Sequence, residues 1–359
     1  MIYFDNAAAT PMAPEVLAVL SVSFKEDFAN PSAAHELGKN LFKRIEKARQ
    51  DFLIWMDAVE EYHFTFTSSA TESNNTIIKG LGLKADDAIF YFKGDHPSIV
   101  APIHHLHGNF TQAFHEKCKL AVFTHINGQS GQLKDVVKLS KEIKEKNPNC
   151  WVHIDGVQGF AKYPLCLNQS TIDSYSLSSH KIRGPKGVAG LYIKKGKKIS
   201  PLLEGGGQEH GRRASTQPAP LIFSFALAAE LAFKRLQENH LRVLALNEYF
   251  KAKLLAVVPN VILPFADAGP YILTFIIPKL PSDVMLRHLQ QNDVFMSSSS
   301  ACSSKIKGFN ETFSALGIAQ KYHKNVFRIS FGEQNNQGEV DQFFNYFKVH
   351  YKNLERLLR

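Results

Sequence analysis

Residues 62–83 read YHFTFTSSATESNNTIIKGLGL. The first eight are rich in aromatic and β-branched side chains and close on two serines, as a strand does before a turn. The rest, from Ala70, starts with ordinary helix-opening chemistry at Thr71 and Glu72 and runs on as a helix. The same succession recurs. DAIFYFKG (87–94) is strand-like and precedes a helix from about Ser98. LAVFTH (120–125) precedes the charged helix KDVVKLSKEIKEK (134–146), which Pro148 helps to end. CWVHIDG (150–156), DSYSLSS (173–179) and GVAGLYIKK (187–195) are further strands. Alternation of this kind predicts an α/β domain built on a mostly parallel sheet.

Beyond about Ala226 the pattern changes. One long helical stretch reaches Val258, followed by the strand YILTFIIP (271–278) and the helix SDVMLRHLQQND (282–293). A serine-rich loop, SSSSACSS (297–304), the strand VFRISFG (326–332) and a closing helix complete the chain. This predicts a smaller α+β domain. The lysine cluster KKGKK (194–198) reads as a turn between two strands.

A chain of 359 residues, 44% hydrophobic and 21% charged, is long enough for two such domains. It contains no apolar run of membrane-spanning length, and its start, MIYFDNAAATP, lacks the basic and apolar regions of a secretory signal. The four cysteines (118, 150, 166 and 302) form no CxxC pair, which argues against a disulfide framework or a zinc site and for a reducing, cytoplasmic setting. HHLH (104–107) is not a metal site either, because adjacent histidines leave a helix on different faces. Cys118, Cys150 and Cys166 lie beside apolar strand residues and are expected to be core thiols. The net charge of +9 is spread along the chain, and no nucleic-acid-binding motif accompanies it.

The chemistry gathers at strand ends, where ligands bind in open α/β sheets. Ser178, Ser179, His180 and Lys181 end one strand. Asp155 and Gln158 follow another, His96 a third, and Ser69, Ala70 and Thr71 open a helix after a fourth. Each has a structural explanation when taken singly. Together they suit pyridoxal 5'-phosphate. A lysine can form the Schiff base, a buried carboxylate can keep the pyridine nitrogen protonated, an imidazole can stack on the ring, and a helix N-terminus can hold the phosphate.

Ten stretches then resemble, in order, the class V aminotransferases, and among them the cysteine desulfurases of the NifS type. They are YFDNAAATP (3–11), FANPSAAHELG (28–38), TSSATESNN (67–75), DHPSI (95–99), HINGQSG (125–131), HIDGVQG (153–159), SSHKIRGPKG (178–187), GGGQEHGRRAST (205–216), SSSSACSS (297–304) and FRISFG (327–332). The resemblance implies a type I pyridoxal-phosphate-dependent transferase fold. Its large, mostly parallel α/β domain would span residues 15–240, and its smaller α+β domain residues 1–14 and 241–359.

The resemblance also implies roles. Lys181 would carry the cofactor, Asp155 would pair with the pyridine nitrogen, Gln158 would face the phenolic oxygen and His96 would stack on the ring, with Lys181 or a neighbouring histidine such as His96 moving the α-proton. Ala70, Thr71, Ser178 and His180 would surround the phosphate. Asn127 would lie beside the cofactor and the substrate carboxylate, and Arg328 would bind that carboxylate. Thr216 would reach the phosphate of the second subunit's cofactor, which implies a homodimer. Cys302 would take the sulfur of L-cysteine as a persulfide and pass it to an acceptor protein, such as an iron–sulfur scaffold or a tRNA-thiolation protein. That would explain a thiol set in a run of serines. Three positions depart from the family pattern: Ser215 and Ser299 stand where glycine is usual, and His210 where arginine is usual. Two alternatives stay open: another class V enzyme (a selenocysteine lyase, a cysteine-sulfinate lyase or an aminotransferase), and an idle cofactor-binding interaction protein.

Overall fold

The structure, a computed structural model, describes residues 1–106, 109–298 and 309–357. Internal contacts divide the chain into a larger unit, residues 11–126 and 134–236, and a smaller one, residues 1–10, 127–133 and 237–359. The chain enters through β1 (Ile2–Tyr3) of the smaller unit. The larger unit follows with α1 (Pro14–Glu26), α2 (Glu36–Trp55), β2 (Tyr62–Thr67), α3 (Ala70–Gly80), β3 (Ala88–Tyr91), α4 (Pro97–His105) and β4 (Asn109–Thr111). It continues with β5 (Cys118–Thr124), α5 (Val136–Lys146), β6 (Trp151–Asp155), β7 (Ser174–Ser178), β8 (Ala189–Lys194) and α6 (Ala219–Lys234).

Its seven strands form one sheet in the order β2-β8-β7-β6-β5-β3-β4. All pairings are parallel except those of β8, which runs against both β2 and β7. Strands 5, 6 and 7 are buried almost throughout, as a sheet covered on both faces requires. On one side Phe52, Phe64, Phe66, Phe160 and Phe225 interlock, with Phe52 and Phe64 stacked at 4.5 Å between centroids. The register brings strand ends level. Thr124 lies opposite Asp155, Asp155 opposite Ser176, and Thr67 and Ser178 both lie opposite Ala189.

The smaller unit resumes with α7 (Leu236–Val257), β9 (Ile272–Ile276), α8 (Ser282–Gln290), β10 (Val294–Phe295), β11 (Ser297–Ser298), α9 (Glu311–Ala315), β12 (Val326–Ser330) and α10 (Gln337–Leu357). Strands β11, β12 and β9 form an antiparallel sheet, and β1 pairs with β10. Phe4, Phe250, Phe331 and Phe343 pack edge to face within it. The segment 127–133 belongs to this unit because it is stitched to β9. Thr274 Oγ1 donates to the Gln129 carbonyl, and Gly269 N–H donates to the Gly131 carbonyl at 2.9 Å. Gly131 has φ +75°, and a Cβ there would sit 2.7 Å from the Ile272 carbonyl oxygen, so glycine alone permits this approach.

Three sequence expectations are corrected. The single helix expected from Ala226 is two helices, which begin earlier at Ala219 and break at Arg235. No glycine or proline marks that break, which falls where the chain passes from one unit to the other. The KKGKK cluster does turn, with Gly196 at φ +79°, but no second strand follows. Cys166 is exposed, whereas Cys118 and Cys150 are buried. Its neighbour Leu167 takes the core position instead, and the thiol faces out.

Candidate active site

The ends of β2, β6 and β7 carry most of the expected residues of the larger unit. After β2, Ser69 caps α3 by accepting the Glu72 N–H at 3.1 Å, while Glu72 accepts the Ser68 N–H at 2.8 Å. The N–H groups of Ala70 and Thr71 lie in the first turn, ahead of the first intrahelical bonds, and suit an anion. After β7, Ser178 Oγ lies 2.9 Å from His180 Nδ1. Burial, then the charge of Lys181, lowers the His180 pKa to about 4, so the ring stays neutral at physiological pH. Lys181 closes the short helical turn that follows the strand.

Asp155 ends β6 and is 4% exposed. Its Oδ2 accepts from Asn74 Nδ2 at 2.8 Å and its Oδ1 from the Val157 N–H at 3.1 Å. Among the described residues no lysine or arginine pairs with it. A buried carboxylate supported only by neutral donors is suited to a cationic ligand group. Gln158 follows on the same strand end and is buried. Lys162 Nζ donates to its Oε1 at 3.2 Å. With its oxygen toward Lys162, the carboxamide carries its N–H groups on the other side. Burial, then the Lys181 charge, lowers the Lys162 pKa to about 7. His96 caps α4 and is exposed, with Nδ1 accepting the Ser98 N–H at 3.1 Å. This donor set fits pyridoxal phosphate: a helix N-terminus for the phosphate, an unpaired buried carboxylate for a pyridinium, and an amide donor for a phenolate.

Thr216 is exposed and ends a loop pinned by a buried ion pair. Arg49 Nη1 and Nη2 donate to Glu209 at 2.6 and 3.0 Å, and the Phe66 N–H and Gln217 Nε2 complete the carboxylate's shell. The loop holds three non-glycine residues at positive φ: Glu209 (51°), His210 (55°) and Ser215 (104°).

The smaller unit holds Asn127 and Arg328. Asn127 Oδ1 accepts the N–H groups of Gln129 and Ser130 at 2.9 and 3.0 Å, which folds its own turn. Arg328 lies on β12, half-buried. Nη1 donates to the Gly128 carbonyl at 2.9 Å, and Nη2 donates to Asp5 Oδ1 and Ser297 Oγ at 3.0 and 2.8 Å. Its buried Nε has no acceptor among the described residues. Such an orphaned donor on a guanidinium is what a carboxylate ligand would satisfy. Cys302 and Ser299 lie outside the described residues. Asn74, Ser98 and Lys162 received no role from sequence. Asn74 sat within TSSATESNN, but nothing local signals that its amide reaches two other strands.

The aminotransferase class-V family model matches residues 2–110 and 107–343. A NifS/IcsS protein homolog from Lactobacillus delbrueckii subsp. bulgaricus is 31% identical, with 99% of each chain covered. A cysteine desulfurase IscS from Dictyoglomus turgidum is 30% identical over 92% of this chain and 89% of its own. A solved NifS-like protein superposes with a TM-score of 0.89 at 27% identity, covering 98% of this chain and 99% of its own. The mostly parallel sheet flanked by helices is thus the type I transferase fold of those neighbours.

Proposed function

The chain belongs to the aminotransferase class-V family, and from that premise we propose that it is a pyridoxal 5'-phosphate-dependent cysteine desulfurase. It converts L-cysteine to L-alanine and leaves the sulfur as a persulfide on Cys302. The observation that carries this reading is Asp155, a buried carboxylate without a cationic partner among the described residues, on a strand end level with the end that leads to Lys181.

When bound, the cofactor supplies an electron-withdrawing ring that stabilises negative charge at the substrate Cα. The chain's own residues do the rest. Asp155 keeps the ring nitrogen protonated, Gln158 donates to the phenolic oxygen, and His96 stacks on the ring. The first turn of α3, with Ala70 and Thr71, holds the phosphate together with Ser178 and His180. Arg328, with Asn127 beside it, binds the substrate carboxylate, for which Nε has no acceptor among the described residues. Lys181 holds the cofactor and moves the α-proton. Cys302 thiolate attacks the substrate sulfur. The S–S bond forms as the C–S bond breaks, and the carbon takes the electron pair and a proton to become the alanine methyl.

The persulfide then passes to an acceptor protein. The exposed apolar side chains Phe24, Phe28, Leu37 and Phe42 on and near α1 and α2 favour a homodimer, to which Thr216 contributes. Among the described residues no helix is long and apolar enough to cross a membrane, and the proposed setting is the cytoplasm.

The test is to incubate the wild type and Cys302→Ser with cysteine and a reductant and to measure alanine and sulfide together. Both products should form with the wild type and neither with the variant. Equal alanine from both would reject the persulfide route and favour a lyase.

A further inference from the structure

Asn74 is fully buried on α3, and its carboxamide uses all four of its hydrogen-bonding positions. Oδ1 accepts from Ser176 Oγ at 2.7 Å and meets His153 Nε2 at 3.0 Å. Nδ2 donates to Asp155 Oδ2 and to Ser98 Oγ, both at 2.8 Å. The carboxylate end of this network fixes its direction. At one end the Trp151 indole, which can only donate, gives its Nε1–H to Ser174 Oγ at 2.7 Å. Ser174 Oγ also lies 2.8 Å from His153 Nδ1. Asn74 Oδ1 can only accept, so the neutral His153 ring carries its proton on Nε2, and its Nδ1 accepts from Ser174 Oγ. At the other end a carboxylate, which can only accept, lies against Nδ2. A flipped amide would set an oxygen against Asp155 and leave His153 with no acceptor.

The network continues. Ser98 Oγ, having accepted from Asn74, donates to His96 Nδ1 at 2.7 Å, beside the Ser98 N–H that donates to the same nitrogen. The neutral His96 ring therefore also carries its proton on Nε2. We propose that Asn74 is a positioning residue for the reaction: its amide, oriented by Ser176 and His153 on the oxygen side, holds Asp155 directly and His96 through Ser98. One side chain thus sets both the partner of the cofactor nitrogen and the imidazole that stacks on the ring. This rests on the reading of Asp155 and His96 given above, but the hydrogen-bond directions do not depend on it.

The experiment begins with the wild type, labelled with ¹⁵N-histidine and free of cofactor, at about pH 8, where neutral imidazole dominates. Assigned against His153→Gln and His96→Gln, both rings should carry their proton on Nε2. A proton on Nδ1 of either ring overturns the chain, whatever the enzyme does. The second step is Asn74→Asp in the holoenzyme, which keeps the shape and both acceptor bonds but removes the donors to Asp155 and Ser98. The turnover number should fall about 100-fold, as for a displaced catalytic group, with KM for cysteine little changed because Arg328 is untouched. A folded variant with wild-type turnover overturns the positioning role. If the variant does not fold, the wild-type tautomers still decide. A wild type that makes no alanine rejects the desulfurase reading alone, and the tautomers again decide the chain.

Discussion

Acid should weaken this fold well before its carboxylates titrate, and His153 should account for a defined share. His153 is fully buried on β6 and His125 nearly so at the end of β5. Burial lowers the first to about 3 and the second to about 4, Lys134 adding to the latter, from an ordinary 6.5. The unfolded chain therefore binds protons at these rings that the folded chain refuses. The stability they confer is complete above pH 6.5 and declines as the pH falls toward their folded values. At about pH 5 the pH lies roughly 1.5 units below the rings' unfolded pKa, which at about 1.4 kcal/mol per unit costs about 2 kcal/mol for each ring. The two together remove about 4 kcal/mol between about pH 7.5 and pH 5.

The assay is urea unfolding, followed by fluorescence and by circular dichroism, of the wild type and His153→Gln at both pH values. The variant loses the Ser174 and Asn74 contacts at either pH, so its absolute stability is not the readout. The readout is the loss between the two pH values, which should be smaller in the variant by about 2 kcal/mol. Groups common to both proteins, such as Asp95, which burial raises, cancel in that difference. Equal losses would mean that His153 is charged in the folded protein or solvated there, and would refute the reasoning.

Arg328→Lys keeps the charge but loses the planar fork and its bonds to Asp5, Ser297 and Gly128, so KM for cysteine should rise about 10- to 100-fold; an unchanged KM removes Arg328 from the carboxylate. Ser215 has φ 104°, a strain of about 1–3 kcal/mol for a residue with a Cβ, partly offset by the greater freedom of an unfolded glycine. Ser215→Gly should therefore stabilise the protein by about 1 kcal/mol, read from the urea midpoint, and destabilisation would contradict the backbone account. Native-state alkylation read by mass spectrometry should modify Cys302 and the exposed Cys166, while Cys118 and Cys150 resist until unfolding; burial raises both of these thiols, Cys150 to about 12. Borohydride should fix the cofactor to Lys181, and Lys181→Ala should be colourless; a label on Lys186 would reassign the site.

Much of the larger unit is legible in the chain because its signals are local. A strand announces itself by β-branched and aromatic residues and a capped helix by a serine ahead of a glutamate, so YHFTFTSSATESNN declares both within fourteen residues. The polar residues at Thr67, Asp155 and Ser178 are visible for the same reason, as interruptions where apolar strands stop. Their gathering into one site is not local. The pairing of β6 with β5 and β7, and the reversal of β8, set which strand ends come level, and residues far apart in sequence decide those pairings. The break at Arg235 is tertiary too, since local propensity there favours a helix and only the passage between units interrupts it. Cys166 faces outward because Leu167 wins the buried place, a competition that composition cannot reveal. Asn74 is the clearest case. Its sequence context identifies a helix residue, whereas its four partners lie on α4, β6 and β7, and their donor and acceptor chemistry orients the amide. Local residue chemistry dictates which elements form and which residues end them; the three-dimensional pairing of strands sets which side chains meet, because a hydrogen bond is specified by both of its ends.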